Sequence, residues 1–155
     1  MDTYGWAHPG PQGSYYWVHQ YGGNVPPGAV LAGTDLDGGP IYIGRASYAG
    51  DVLPAKACPS HGCAYVSHAG AEISVKDYEI LVGQNVAWRP ASGGDIPSQA
   101  IKAGQTSAGE PLFVGRTMHE GTLTPGKVHP SHGCLYIPYG GEELRFDDYE
   151  ILILM

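Results

Sequence analysis

Apolar residues in this chain fall in short runs or strict alternation, broken by Gly, Pro and Asp-rich turns. AVLAG (29–33), IYIGRA (41–46), CAYVSH (63–68) and DYEILV (77–82) are the clearest runs. Side chains of a strand point alternately to opposite faces, so these runs read as short strands with a buried face. No window keeps apolar residues at i, i+3, i+4 and i+7 over several turns, so the pattern predicts no substantial helix. NVPPG, DLDGG, HAGAE and YGGEE supply the Gly, Pro, Asn and Asp that tight turns require. The chain is expected to be all-β.

The pattern occurs twice. Placing residue n over n+71 aligns Trp17 with Trp88, Pro40 with Pro111, Gly44-Arg45 with Gly115-Arg116 and Lys56 with Lys127. The register runs on without a gap through PSHGC (59–63 on 130–134) and DYEIL (77–81 on 148–152), and 27 of 66 aligned residues are identical. About four antiparallel strands per copy are expected. A unit of roughly 70 residues alone buries only about 60% of its unfolded surface, a thin core. The two copies are therefore expected to share a core about a pseudo-two-fold axis. That gives one compact domain over 17–155, with repeat 1 at 17–82 and repeat 2 at 88–153, after an N-terminal extension at 1–16 that carries Tyr4, Trp6, Tyr15 and Tyr16.

Charge narrows the possible partners. Eight Lys and Arg against 15 Asp and Glu give a net charge of −7, so the basic footprint needed for nucleic acid or an anionic membrane is missing. The first residues have neither a basic nor an apolar region of the secretory type, and no apolar run reaches membrane-spanning length. A cytoplasmic location is expected, with release by a non-classical route left open. Cys58, Cys63 and Cys134 are odd in number and cannot close a disulfide framework within one chain, so reduced thiols are expected.

CPSHGC and HPSHGC offer soft donors at zinc-compatible spacing: Cys58, His61 and Cys63 in repeat 1, and His129, His132 and Cys134 in repeat 2. Neither hexapeptide supplies a fourth ligand. The structural alternative is that Pro and Gly shape a turn, the His bonds to backbone and the Cys enters the next strand as a small apolar residue. A Cys–His nucleophile lacks an orienting partner, and GTDLDGG reads as a solvated turn rather than a glycosidase pair. No enzyme activity is expected. The glycine stretches around Arg45 and Arg116 match no phosphate-loop pattern, and the two arginines read as repeated structural contacts. Lys56 and Lys127 are more informative, because the chain has only four Lys and two stand at equivalent positions that no turn requires. An ammonium with three donors beside a carboxylate and an aromatic wall is the minimum kit for holding a sugar. A simple surface ion pair is the alternative.

The combination of strand-Gly-Arg, Pro-x-Lys, PSHG and DYEIL, standing here as YIGRASYAGDVLPAKACPSHGCAYV (42–66) and FVGRTMHEGTLTPGKVHPSHGCLYI (113–137), resembles the DM9 repeat family. Two-repeat members look like calcium-independent mannose-binding lectins of molluscs that act in innate recognition of microbes and form homodimers. Other members carry the repeats beside an aerolysin-like pore-forming region. The resemblance implies intertwined β repeats and sugar contacts from an Asp and a Lys. The matching residues are Asp35 and Lys56, with Lys127 as the second-copy equivalent. Because Thr106 replaces Asp35 in copy two, a second site there is expected to use Glu120 with His119 nearby.

The chain is thus expected to bind mannose or mannose-rich glycans on microbial surfaces, without a cofactor, nucleic acid or membrane insertion. A zinc protein built on the two PSHGC motifs and a ligand-free interaction scaffold are the competing readings.

Overall fold

A computed structural model describes residues 15–155, and the part of the extension before Tyr15 lies outside the described residues. Repeat 1 contributes β1 (Tyr15–Tyr21), β2 (Leu31–Thr34), β3 (Pro40–Tyr48), β4 (Asp51–Cys58), β5 (Cys63–His68), β6 (Ala71–Val75) and β7 (Asp77–Gly83). Repeat 2 contributes β8 (Val86–Ser92), β9 (Lys102–Gln105), β10 (Pro111–His119), β11 (Thr122–His129), β12 (Cys134–Tyr139), β13 (Glu142–Phe146) and β14 (Asp148–Leu154). The fold is all-β, as expected, with two short 3-10 turns as the only helical backbone among the described residues. None of its helices is long and apolar enough to cross a membrane.

Each copy has seven strands rather than about four. The difference has local causes. β4 and β11 are buried along nearly their whole length, so they show no alternation. Each also carries an internal proline, Pro54 or Pro125, a residue that argues against a central strand. β1 begins at Tyr15, so Tyr15 and Tyr16 belong to the first repeat and not to an extension.

The main sheet runs β1-β7-β3-β4-β5-β6-β13-β12-β11-β10-β14-β8, an order that reads the same when the copies are exchanged. Its centre is the β6–β13 pair, where Ala71 stands opposite Glu142, its own equivalent. Glu72 N–H donates to Gly141 O and Glu143 N–H donates to Gly70 O, both at 3.0 Å. Those two bonds exchange under the 71-residue shift and mark the pseudo-two-fold axis.

The copies interlock beyond this seam. β9 of repeat 2 pairs with β4 of repeat 1 through Val52 and Gln105. Gly33 and Gly104 permit the close approach, since a Cβ at either would sit 2.2 Å from Leu123 O or 2.0 Å from Val52 O. One core cluster unites Trp17, Ile41, Ile43 and Leu81 of the first copy with Ile101, Val114 and Leu152 of the second. Sharing it gives each small unit the burial that it lacks alone.

The duplicated Trp, Arg and DYE residues build one contact in each copy. Arg45 lies 4.4 Å from the Trp17 ring and 2.5 Å from Glu79, while Arg116 lies 4.0 Å from the Trp88 ring and 2.8 Å from Glu150. A guanidinium stacked on an aromatic face and paired to a carboxylate ties the first strand of a copy to its third and last. The expectation that Arg45 and Arg116 are structural is met.

Candidate functional site

The PSHG tetrapeptide forms the same turn twice. Pro59–His61 and Pro130–His132 are single 3-10 turns with Pro at the start, closed by Gly62 and Gly133 at φ 72° and 71°. Pro presets the first φ and Gly accepts the left-handed closing residue. Cys63 and Cys134 then enter β5 and β12 buried, and all three cysteines are free thiols. The His bonds a side chain rather than backbone: His61 Nδ1 is 2.9 Å from Tyr65 Oη, and His132 Nδ1 is 2.9 Å from Tyr136 Oη. Both His–Tyr pairs sit at the sheet surface, held by a turn that the sequence repeats without change.

Lys56 and Lys127 are buried, not surface residues, at 7% and 6% exposure. Lys56 Nζ lies 3.2 Å from Glu72 and donates to Pro138 O at 2.7 Å. Lys127 Nζ lies 2.9 Å from Glu143 and donates to Ser67 O at 2.8 Å. Glu72 also accepts from Gly141 N–H, and Glu143 from Gly70 N–H. Each lysine therefore joins its own repeat to the other across the pseudo-axis. The grouping of Lys127 with Glu120 is corrected by this geometry, because the carboxylate at Lys127 belongs to Glu143.

Lys56 keeps one ammonium proton beyond these two partners, and its Nζ sits 5.3 Å from the Tyr65 ring and 5.4 Å from the Tyr139 ring. Tyr139 comes from repeat 2. Burial, the adjacent Glu120 carboxylate and the charges of Asp35 and Glu72 together raise its hydroxyl above the ordinary value. Glu120 and His119 lie beside Tyr139, with His119 packed edge-on against that ring at 4.7 Å and 3.8 Å from Glu120, and their turn approaches the Asp35 turn where a Cβ on Gly121 would stand 3.3 Å from Leu36 Cδ2. The close approach of β2 and β11, with Gly33 against Leu123, sets the β10–β11 turn of one copy beside the β2–β3 turn of the other, and sequence spacing does not reveal that.

Asp35 closes this cleft from the other side. Its Oδ1 accepts the Leu36 N–H at 2.8 Å, and its Oδ2 points to His61 Nε2 at 3.5 Å. Asp37 Oδ2 is 4.0 Å from the same nitrogen. Asp35, Cys58 and His61 offer ligand atoms all within 4.8 Å of one another. Cys58 forms the floor, and burial pushes its thiol up to about 12 despite the neighbouring Lys56. Of the zinc set drawn from the motif, Cys58 and His61 come together, but the third ligand beside them is Asp35 and not Cys63.

The equivalent place in repeat 2 has different contents. Thr106 replaces Asp35 and caps its own turn by accepting Glu110 N–H at 3.2 Å. His129 replaces Cys58 and stacks on His132 at 3.6 Å, and no His129–His132–Cys134 metal cluster forms among the described residues. Burial and the charge of His132 hold His129 below the usual imidazole value, outweighing the pull of Glu110. Glu110, where repeat 1 has Gly39, takes bonds from Ser131 N–H and Oγ–H at 2.7 Å each. His68 stands where Tyr139 stands and lies 3.5 Å from Asp51, whose other oxygen accepts Ser107 N–H. The acidic groups of this second cleft are thus engaged with loop groups, Glu110 with Ser131 and Asp51 with Ser107 of the other copy.

Tyr65, Tyr139 and Glu72 complete the first cleft, and only one of them needed the fold to be found. Tyr65 and Glu72 recur as Tyr136 and Glu143 at the 71-residue spacing, alongside the lysines they contact. Tyr139 has His68 as its counterpart and gives no such signal. Elsewhere, a depression of about 380 Å³ lined by Arg45, Val52, Lys102, Gly104 and Gln105 follows the β4–β9 junction and contains no carboxylate or thiol.

The family model of the DM9 repeat matches residues 8–50 and 35–146. Natterin-4 of Thalassophryne nattereri is 28% identical over 140 residues, covering 88% of this chain and 33% of its own length. Natterin-3 of the same fish is 28% identical over 141 residues, covering 88% of this chain and 35% of its own length. The chain spans about a third of these curated relatives. Among solved structures, the nematode sperm cell motility protein MFP2B matches with a TM-score of 0.68 at 13% identity, over 92% of this chain and 47% of that one. That likeness is one of fold.

Proposed function

The chain belongs to the DM9 repeat family, and on that footing we propose that it is a non-enzymatic carbohydrate-binding protein that takes mannose-type sugars in the cleft of repeat 1. The observation that carries this reading is the Lys56 ammonium held 5.3 Å and 5.4 Å from the Tyr65 and Tyr139 rings, which come from different copies, with Asp35 beside His61, the partner of Tyr65, and Glu120 beside His119, which packs on Tyr139. Carboxylates take adjacent hydroxyls through charge-assisted hydrogen bonds, an ammonium gives a proton to a ring or hydroxyl oxygen, and the tyrosine faces cover the apolar side of a pyranose. None of these contacts calls for calcium. The second cleft, with Lys127, His68 and the His129–His132 stack, is the weaker or differently selective site.

A single sugar site buries few atoms and binds weakly, so action on a microbial surface calls for multivalency, which a homodimer of this chain supplies. Innate recognition of mannose-rich glycans is the biological role this reading fits. Titrating mannose into the chain in the presence of a chelator tests it. Binding is expected to persist there, and Asp35→Asn and Glu120→Gln are each expected to weaken it about tenfold or more, the worth of one charged hydrogen bond. A folded protein that is silent across mannose, mannose-rich glycans and a broad glycan array rejects the reading in favour of an interaction scaffold.

A further inference from the structure

We propose that Asp35, Cys58 and His61 form a binding site for a thiophilic divalent ion of the zinc class, present in repeat 1 and lost from repeat 2. Their ligand atoms lie within 4.8 Å of one another, and among the described residues this is the one such cluster. Two donors about 2.0–2.3 Å from a shared tetrahedral ion stand about 3.5 Å apart. The Asp35 Oδ2 to His61 Nε2 separation is 3.5 Å.

The groups behind the ligands are arranged to aim them. His61 Nδ1 is paired with the Tyr65 hydroxyl, which orients the ring with Nε2 facing Asp35; with the proton on Nδ1 donated to that hydroxyl, the Nε2 lone pair is the one offered to an ion. Asp35 Oδ1 is held by the Leu36 amide, which leaves Oδ2 as the inward oxygen. A ligating imidazole and carboxylate ordinarily have such partners on their outer atoms. Cys58 supplies the sulfur from below, with only a long 3.9 Å contact to Lys56 O to satisfy it. The Lys56 charge nearby is matched by Glu72 at 3.2 Å, so the cleft does not present an uncompensated cation to the incoming ion. On binding, the thiol proton leaves to solvent and a sulfur–metal bond forms. Three protein ligands leave the fourth position to water.

Repeat 2 provides the internal contrast. It keeps the His–Tyr pair but replaces the carboxylate by Thr106 and the thiol by His129, whose ring lies flat on His132. Glu110 also closes the loop onto Ser131, whereas at Gly39 a side chain would meet Ser60 Oγ at 2.8 Å, so that turn stays bare. The site shares Asp35 with the sugar reading but does not rest on it, since a metal titration without sugar and a sugar titration with chelator fail independently.

Cobalt(II) titrated into the full chain, followed by zinc, tests the proposal. Equimolar binding with a thiolate-to-cobalt charge-transfer band is expected, and zinc should displace it. Cys58→Ser should abolish the band. His61→Ala and Asp35→Asn should each lower affinity by more than the about 10- to 100-fold that loss of a supporting group costs. His132→Ala, the same position in repeat 2, should leave binding unchanged. Thermal melts establish that each variant is folded, and if Cys58→Ser is not, the two rim variants carry the test. Absence of equimolar binding, a charge-transfer band that survives Cys58→Ser, or an equal loss in His132→Ala and His61→Ala overturns the proposal.

Discussion

Lys56 of the first repeat donates its ammonium to the Pro138 carbonyl of the second, 2.7 Å away, and the symmetric bond from Lys127 reaches Ser67 O. The lysines that mark the repeat in the sequence are therefore the rivets of the duplication. They hold two thin units together about the Ala71–Glu142 pair, and in repeat 1 the same ammonium also faces a cleft built from both copies. Fold and site share one residue.

Removing that ammonium is expected to damage the fold before it reports on binding. Lys56→Ala leaves Glu72, a largely covered carboxylate, without its cation, and breaking a mostly buried pair in this way costs about 3 kcal/mol. Glu72→Gln should cost less, because an amide still accepts from Gly141 N–H. The double variant should lose less than the sum of the singles, with a coupling of about 0.5–3 kcal/mol. Urea unfolding of the four proteins measures it, and simple additivity would show that the pair contributes no interaction.

Acid should weaken the protein in two stages. His129 is held below the ordinary 6.5 by burial and by His132, so the unfolded chain takes this proton first. Its contribution is complete above 6.5 and declines as pH falls from there towards the folded value. For Glu143, burial raises the carboxyl, but bonds from Lys127 and the Gly70 amide outweigh it and leave the folded value below 4.5. That contribution is complete above 4.5 and is lost as pH drops through the folded value. Urea midpoints followed across the acid range should flatten in the upper stage for His129→Gln and in the lower stage for Glu143→Gln.

Much of this is legible in the sequence, and the rest is hidden for definable reasons. Trp17, Arg45 and Glu79 recur at 71 residues, and their copies make the same stack and ion pair. β4 is not legible, because burial on both faces and Pro54 erase the alternation that betrays a strand. Nor is the meeting of the Glu120 and Asp35 turns: each turn looks local, and only the interlocking of the copies, with Gly33 against Leu123, sets one beside the other. Glu72 was visible as a repeated carboxylate. Its importance follows from its pairing with the buried Lys56, which sequence spacing does not disclose.

The interlocking of the copies through glycine should be unforgiving. Gly104 faces Val52 O so closely that a Cβ would stand 2.0 Å from it, and the atom it meets is backbone that cannot swing aside. Gly104→Ala must push β9 away from β4 and is expected to cost about 3 kcal/mol or more. Gly38→Ala, at a turn with open space but φ of 83°, should lose only about 1–2 kcal/mol of conformational energy. Comparing their melting temperatures separates crowding from backbone strain, and equal losses would contradict the close approach.

Glu120 occupies a left-handed conformation at φ 49°, ahead of Gly121 at φ 86°, in the turn between β10 and β11. A side chain with Cβ is disfavoured there by about 1–2 kcal/mol, and Asn is the residue that tolerates it best. Ala49 is its counterpart, at φ 52° before Gly50. Converting either position to Asn creates the Asn-Gly pair that suits a two-residue hairpin, so Glu120→Asn and Ala49→Asn should each raise stability by about 1 kcal/mol. Their effects on ligand should differ. Glu120 stands beside Tyr139 in the repeat 1 cleft, so its replacement should weaken mannose binding, whereas Ala49→Asn should leave that cleft intact. Chemical denaturation and mannose titration of both variants check the pair of outcomes. A strained residue that stabilises the protein when replaced, at the cost of binding, is one retained for its carboxylate. If Glu120→Asn gains stability and binds as before, the carboxylate has no part in the sugar site.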